Sequence, residues 1–182
     1  MDTETPLWQF ATNFYAYPNI ANQLLALQDD DGCQINQLIL SVWLASDGHC
    51  ITRLPYSNEQ SSTWQQEIIV PIRSIRQKIK QVKISYPLSD GLASCYQQVL
   101  AAELAVEKIE LAMLYQQREI YAVSSADNQL QLIEKNLEFC WGQQNKISVE
   151  NQPQGAINKR QTKFIESAVR YVKQLVESQR YN

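Results

Sequence analysis

The stretch LASCYQQVLAAELAVEKIELAMLYQQREI, residues 92–120, decides how this chain is read. It holds no proline and no glycine. Leu92, Tyr96, Val99, Val106, Ile109 and Met113 recur at helical spacing, and Leu100, Leu104, Leu111 and Leu114 widen the same face. A face that broad belongs to a helix covered by several neighbours. Three carboxylates interrupt it. Glu103, Glu107 and Glu110 follow one another at i, i+4, i+7, a single stripe inside the apolar face. An unpaired buried carboxylate is very costly, so the stripe needs partners elsewhere in the chain.

The preceding segment supplies them. Trp64, Ile68, Ile72, Ile75, Ile79 and Val82 form a near-heptad stripe, which predicts a helix from about residue 61 to 84. Pro71 falls inside it and predicts a kink or break. From Pro71 to Ile84 the charges are Arg73, Arg76, Lys78, Lys80 and Lys83, with no acid among them. Packed antiparallel, the two helices are expected to set Arg73 near Glu110, Arg76 near Glu107 and Lys80 near Glu103. Arginine meets a carboxylate with two parallel hydrogen bonds, so Arg73 and Arg76 are the expected buried members.

The remaining segments are also helical. Thr5-Pro6 caps and opens an aromatic-rich first helix carrying Trp8, Phe10, Phe14 and Tyr15. Pro18 is read as the start of a second helix, which Asp29-Asp30-Asp31-Gly32 ends. Ile35, Leu38, Ile39, Val42 and Trp43 mark a third, with Asn36 a candidate buried amide fixing a neighbouring turn. His49 to Pro55 reads as a connector, partly extended, and Ser124 to Asp127 as a turn and cap. Leu130, Ile133, Leu137 and Trp141 mark a sixth helix ending at Gly142. Gln143 to Gly155 reads as a loop or linker before a basic C-terminal helix.

The first half resembles a proteobacterial family of small proteins catalogued only as a domain of unknown function. The residues that carry the resemblance are Trp8-x-Phe10, Tyr15, Pro18, Leu25 to Asp29, Gly32, Asn36, Leu38, Leu40, Trp43-Leu44 and Gly48. Trp64, Pro71-Ile72-Arg73, Arg76 and Lys80 continue it. It spans about residues 7–84, with the Glu-rich helix as a looser continuation, and the segment after Gln143 departs from the family pattern. The resemblance implies an all-helical fold and supplies no catalytic residue.

Composition narrows the function classes. A net charge of −3 and a pI near 5.2 argue against a surface that seeks nucleic acid as a whole. No apolar run approaches the roughly 18 residues that would span a bilayer, and the acidic N-terminus does not resemble a signal peptide. Cys33, Cys50, Cys95 and Cys140 form no C-x-x-C pair, so they are read as reduced thiols and not, with His49, as a zinc set. The run Asp29 to Asp31 is contiguous, whereas a metal-diphosphate site wants aspartates one turn apart on a helix wall. A carboxylate-bridged dimetal site wants Glu-x-x-His on two helices, and His49, the only histidine, has no glutamate three residues before it. No nucleophile elbow, P-loop or dinucleotide fingerprint occurs.

The sequence therefore predicts one all-α bundle of six or seven helices with a long central helix over about 90–122. Residues 1–142 are expected to form the core, and 143–182 a linker plus a basic helix packed on or loosely attached to it. The expected function is a non-enzymatic cytoplasmic adaptor or regulator with a protein partner, no metal, no cofactor and no membrane. Two alternatives stand beside it. One is a small-ligand or enzyme pocket built from Arg73, Arg76, Lys80, Glu103, Glu107 and Glu110. The other is an RNA or ribosome contact through the basic stripe and Lys159, Arg160, Lys163, Arg170 and Lys173. A pocket reading requires a deep cavity lined by those groups, and an interaction reading an exposed apolar or basic patch.

Overall fold

The structure, a computed structural model, describes residues 1–53, 63–85, 90–148 and 157–180. Helix α1, Pro6–Ala16, opens as the sequence requires: the Thr5 hydroxyl accepts from the Trp8 N–H at 3.1 Å, and Pro6 takes the first helical position. Helix α2 spans Ile20–Asp31, two residues later than the Pro18 start expected. Asn19 adopts a left-handed φ of 68° and Ile20 N–H bonds back to Tyr17 O, so Pro18 belongs to the turn. Gly32 ends α2 at φ 67°, and Cys33 N–H reaches Leu27 O at 3.0 Å.

Helix α3, Ile35–Ser46, is the hub. Ten of its twelve residues are buried, Asn36, Gln37 and Ser41 among them, so it is covered all round and not along one stripe. Strands β1, His49–Ile51, and β2, Ala122–Ser124, pair antiparallel with His49 opposite Ser124 and Ile51 opposite Ala122. Three residues per strand show too little alternation to be read from sequence. Asn136, completely buried, fixes the ribbon instead. Its Oδ1 accepts from Ile51 N–H at 2.8 Å, and its Nδ2 donates to His49 O at 2.9 Å and Ser41 O at 3.2 Å.

The break expected at Pro71 takes a specific form. Residues Gln65–Ile69 make a wide π turn in which Val70 N–H bonds to Gln65 O, and helix α4, Val70–Ser85, follows directly. Pro71 has no N–H to give the preceding turn, and the wider turn absorbs that loss. Helix α5 spans Asp90–Gln116. It stops at Gln117, before the single-turn helix α6, Arg118–Tyr121, so the helix expected to reach Ile120 is broken. Arg118 Nη1 caps the break by donating to Tyr115 O at 2.9 Å. Helix α7, Gln129–Ser148, runs through Gly142, where an end was expected. An interior glycine costs a helix only about 1 kcal/mol, and tertiary packing overrides it. The last helix, α8, is Lys159–Arg180. The expected cap at Ser89 and the later part of the expected linker, residues 149–156, lie outside the described residues.

The core joins the two ends of the chain. Phe164, Ala168, Tyr171 and Val172 of α8 are buried among Phe10 and Phe14 of α1 and Trp141 of α7. Ring centroids lie 5.5 Å apart for Phe10–Tyr171, 6.0 Å for Phe14–Phe164 and 6.5 Å for Trp141–Phe164. Helix α8 is thus part of the core. Helix α5 is central only in its second half, where Leu111, Ala112 and Leu114 are buried. Its first half has α4 for cover, and no side chain from Val70 to Val82 or from Asp90 to Ala102 is buried. These two segments form a helical arm reaching out from the body. No helix among the described residues is long and apolar enough to cross a membrane.

If α8 is integral, Phe164→Ala should cost about 3–5 kcal/mol in urea melts, as for any large aromatic removed from a core. A loss below about 1 kcal/mol would show that α8 only rests on the body.

Candidate functional site

Arm and body meet at the carboxylate stripe. Glu103 is 4% exposed, on the face of α5 that meets α4. Arg73 Nε donates to its Oε1 at 3.2 Å, and Arg76 donates through Nε to Oε2 and through Nη2 to Oε1, the latter at 3.2 Å. Arg73 Nη2 also reaches Glu107 Oε1 at 2.7 Å. The guanidiniums expected to be buried are therefore the ones engaged, but one turn out of the expected register. Arg73 meets Glu103 and Glu107, not Glu110; Arg76 meets Glu103, not Glu107; Lys80 makes no ion pair with a described residue. Four residues, 86–89, separate the two helices in sequence. Trp64 Nε1, donating to Val106 O at 3.1 Å, holds the other end of the pair.

Glu110, 2% exposed, turns to α3 and accepts from Asn36 Nδ2, which also reaches Glu107 O at 3.4 Å. Asn36 is the buried amide the sequence suggests, but it ties α3 to α5 across 74 residues and does not brace a nearby turn. Burial is the main cause that raises the Glu107 carboxyl above its ordinary range, and the Arg73 hydrogen bond opposes it. The Glu103 hydrogen bonds hold the Arg76 guanidinium above its ordinary range, so it stays charged.

Beside this network lies a cavity of about 480 Å³. Arg76 and Lys80 of α4, and Tyr96, Leu100, Glu103 and Glu107 of α5, form one wall. Trp8, Tyr15, Leu25, Asp29 and Asn36 form the facing wall from α1, α2 and α3. Leu25 and Leu104, 45% and 51% exposed, stand at its rim. Burial, with Glu107 close by, raises the Tyr15 hydroxyl far above its ordinary range, so it remains a neutral donor. Of the six predicted site residues the cavity gathers four, Arg76, Lys80, Glu103 and Glu107. Arg73 sits behind them, bonded to both glutamates, and Glu110 faces α3. Trp8, Tyr15 and Leu25 were not singled out as site residues, because they come from a segment some 80 residues away and read as ordinary core.

The other candidates resolve differently. Arg160 binds the helix-ending acids, with Nη2 at 3.0 Å from Asp31 Oδ1 and Nη1 at 3.4 Å from Asp30 Oδ2. It supplies the cation a helix C-terminus favours and holds the Asp31 carboxyl below its ordinary value. Cys33 and Cys140 are buried, with thiols pushed up to about 12, which leaves them unreactive near neutral pH. His49 lies between Asp47 Oδ2, 3.3 Å from its Nδ1, and Ser124 Oγ, 3.4 Å from its Nε2. That order copies a hydrolase triad. However, the Nδ1 makes no aligned hydrogen bond, Asp47 and Ser124 are exposed, and none of the three lines the cavity. Among the described residues, no group of three or more His, Cys, Asp or Glu is placed to hold a metal ion.

Two measurements test this geometry. Glu103→Leu strands the Arg76 guanidinium, leaves Arg73 with Glu107 alone, and should cost about 3–5 kcal/mol. In double-mutant cycles with Arg76→Met, the coupling to Glu103 should exceed about 1 kcal/mol and the coupling to Glu107 should stay below about 0.5 kcal/mol. A larger coupling to Glu107 than to Glu103 would restore the register expected from sequence. The raised Glu107 carboxyl gives a second readout. The folded state holds this proton more tightly than the unfolded state does. The group's contribution is therefore greatest below the ordinary glutamate value and falls as pH rises through the raised one. Glu107→Gln should gain on the parent across that window in urea melts, and a constant offset would contradict the shift.

No curated protein and no solved structure matches the chain. A family model matches residues 6–114, from the first turn of α1 past the carboxylate stripe of α5. The cavity's walls fall inside that match, and α7 and α8 fall outside it. With well over half its length matched, the chain belongs to the family described as protein of unknown function (DUF2390).

Proposed function

We propose that this cytoplasmic chain works by binding, not catalysis, and that the cleft between the arm and the body holds a small ligand with an apolar body. The observation that carries this reading is the cavity of about 480 Å³. It falls within the usual size range of ligand pockets and combines aromatic and leucine walls with a few convergent polar groups. The network of half-buried Arg73 and Arg76 on buried Glu103 braces its floor. With both arginines turned inward, the described side chains of α4 leave Lys78 and Lys80 exposed to meet a phosphate backbone, so the RNA reading has less support.

A second reading, an adaptor that binds a protein partner, draws on exposed apolar residues. Leu25 and Leu104 rim the cleft, and Ile75 and Val82 stand out on the arm at 49% and 46% exposure. One experiment separates the two readings. A fragment library is screened by thermal shift against the parent chain and against Leu100→Trp, which fills the cleft from α5. A ligand at 100 times its Kd should add about 2.7 kcal/mol of stability, a Tm rise of several degrees. The variant should keep its own Tm within about 2 °C and lose that response. Hits that bind both chains equally, or no hits at all, would favour the adaptor.

A further inference from the structure

The four guanidinium contacts at the floor of the cleft are shared unequally. Glu103 takes three, from Arg73 Nε and from Arg76 Nε and Nη2. Glu107 takes one, from Arg73 Nη2 to its Oε1. Glu107 Oε2 accepts no hydrogen bond from a described residue. It is not among the sealed, unsatisfied atoms, and its residue lines the cavity. Burial raises this carboxyl in spite of Arg73. A second carboxylate, Asp29, stands on the facing wall with no ion partner among the described residues. The rest of the wall offers aromatic and leucine surface, Tyr15 and Leu100 among it.

On the reading of the cleft as a ligand site, we infer that it takes a protonated amine on an apolar body. The ammonium docks on Glu107 Oε2, and the alkyl or aryl part lies along Tyr15, Leu100 and Leu104. Glu107 already pairs with Arg73 through Oε1, and an ammonium adds a second charge-assisted hydrogen bond at Oε2, the strong kind when desolvated. An anionic ligand meets the opposite situation. It would have to draw Arg76 away from Glu103, weakening the pairing of a carboxylate that is 4% exposed. Lys80 also lines the cleft and pairs with no described residue, so hexanoate is the probe that tests whether it outweighs Glu107 and Asp29. A neutral alcohol satisfies the hydrogen bond but not the charge.

The test is isothermal titration calorimetry with four probes, n-hexylamine, 2-phenylethylamine, 1-hexanol and hexanoate, on the full chain and on Glu107→Gln. At about pH 8, well above the ordinary glutamate range, both amines are protonated. The amines should then bind at least about tenfold more tightly than hexanol, with hexanoate weakest. In Glu107→Gln the preference for hexylamine over hexanol should shrink to within about twofold. Amine affinity should also rise with pH through the raised titration of Glu107, because the docked carboxyl must give up its proton. Below that range the heat of binding should depend on the buffer's ionisation enthalpy, a signature that a purely structural glutamate would not produce. If Glu107→Gln does not fold, the amine–alcohol comparison on the parent chain and Glu107→Asp, which retracts the carboxylate by one methylene, decide instead. Equal binding of amine and alcohol to the parent, or an undiminished preference in Glu107→Gln, overturns the amine assignment and leaves the cleft standing. No binding of any probe up to about 10 mM overturns both.

Discussion

A carboxylate buried in the middle of a long helix constrains everything around it. Glu103 cannot stay ionised and out of water unless cations come to it, and the cations come from α4. Arg73 and Arg76 sit three residues apart on one face and close on Glu103 from one side. Two ion pairs at a fixed spacing set both the register and the rotation of α4 against α5. Apolar packing would specify neither so sharply, because a stripe of isoleucines slides by a turn with little change. The network thereby holds the arm, and the arm supplies one wall of the cleft.

The network also explains why the cleft is mixed in character. Its floor is ionic because α5 continues the Glu stripe past Glu103. Its facing wall is aromatic because α1 carries Trp8 and Tyr15 on the side away from α8, while Phe10 and Phe14 turn toward α8. One short helix therefore serves the core with one set of rings and the cleft with another. The boundary between them runs along α3, where Asn36 passes from buried core to cavity wall and anchors Glu110 on the way.

What could be read from sequence was what depends on near neighbours. Thr5 with Pro6, and Gly32 after the aspartates, announce helix ends through local geometry alone. The Glu and Arg stripes announce each other because unpaired burial is costly, so the pairing of helices was legible although its register was not. Glu103, Glu107 and Glu110 offer similar partners one turn apart, and the pattern of charges does not choose among them. The ribbon of β1 and β2 was hidden because Asn136 creates it from more than 80 residues away. Helix α3 shows a clean apolar stripe, and nothing in that stripe tells that Gln37 and Ser41 are buried as well. The hydroxyl of Ser41 is satisfied within the helix by Gln37 O at 2.8 Å, which lets a polar residue sit inside without signalling it. The aromatic wall of the cleft was hidden for a related reason, as core and cavity rings look alike in a one-dimensional pattern.

The contact between α1 and α8 has a consequence for how the chain comes to be. Gln23 of α2 donates to Ser167 Oγ at 3.1 Å, and Phe14 meets Phe164, across more than 140 residues. During synthesis, the first two helices leave the ribosome long before the helix that covers them exists. At a rate of about 5–20 residues per second, their apolar face waits on the order of ten seconds or more. For that interval the leucines and phenylalanines that become the core are an exposed surface available to any chaperone in reach. Completion of this core is therefore a late event, and its hydrophobic seal forms only after α8 has been made.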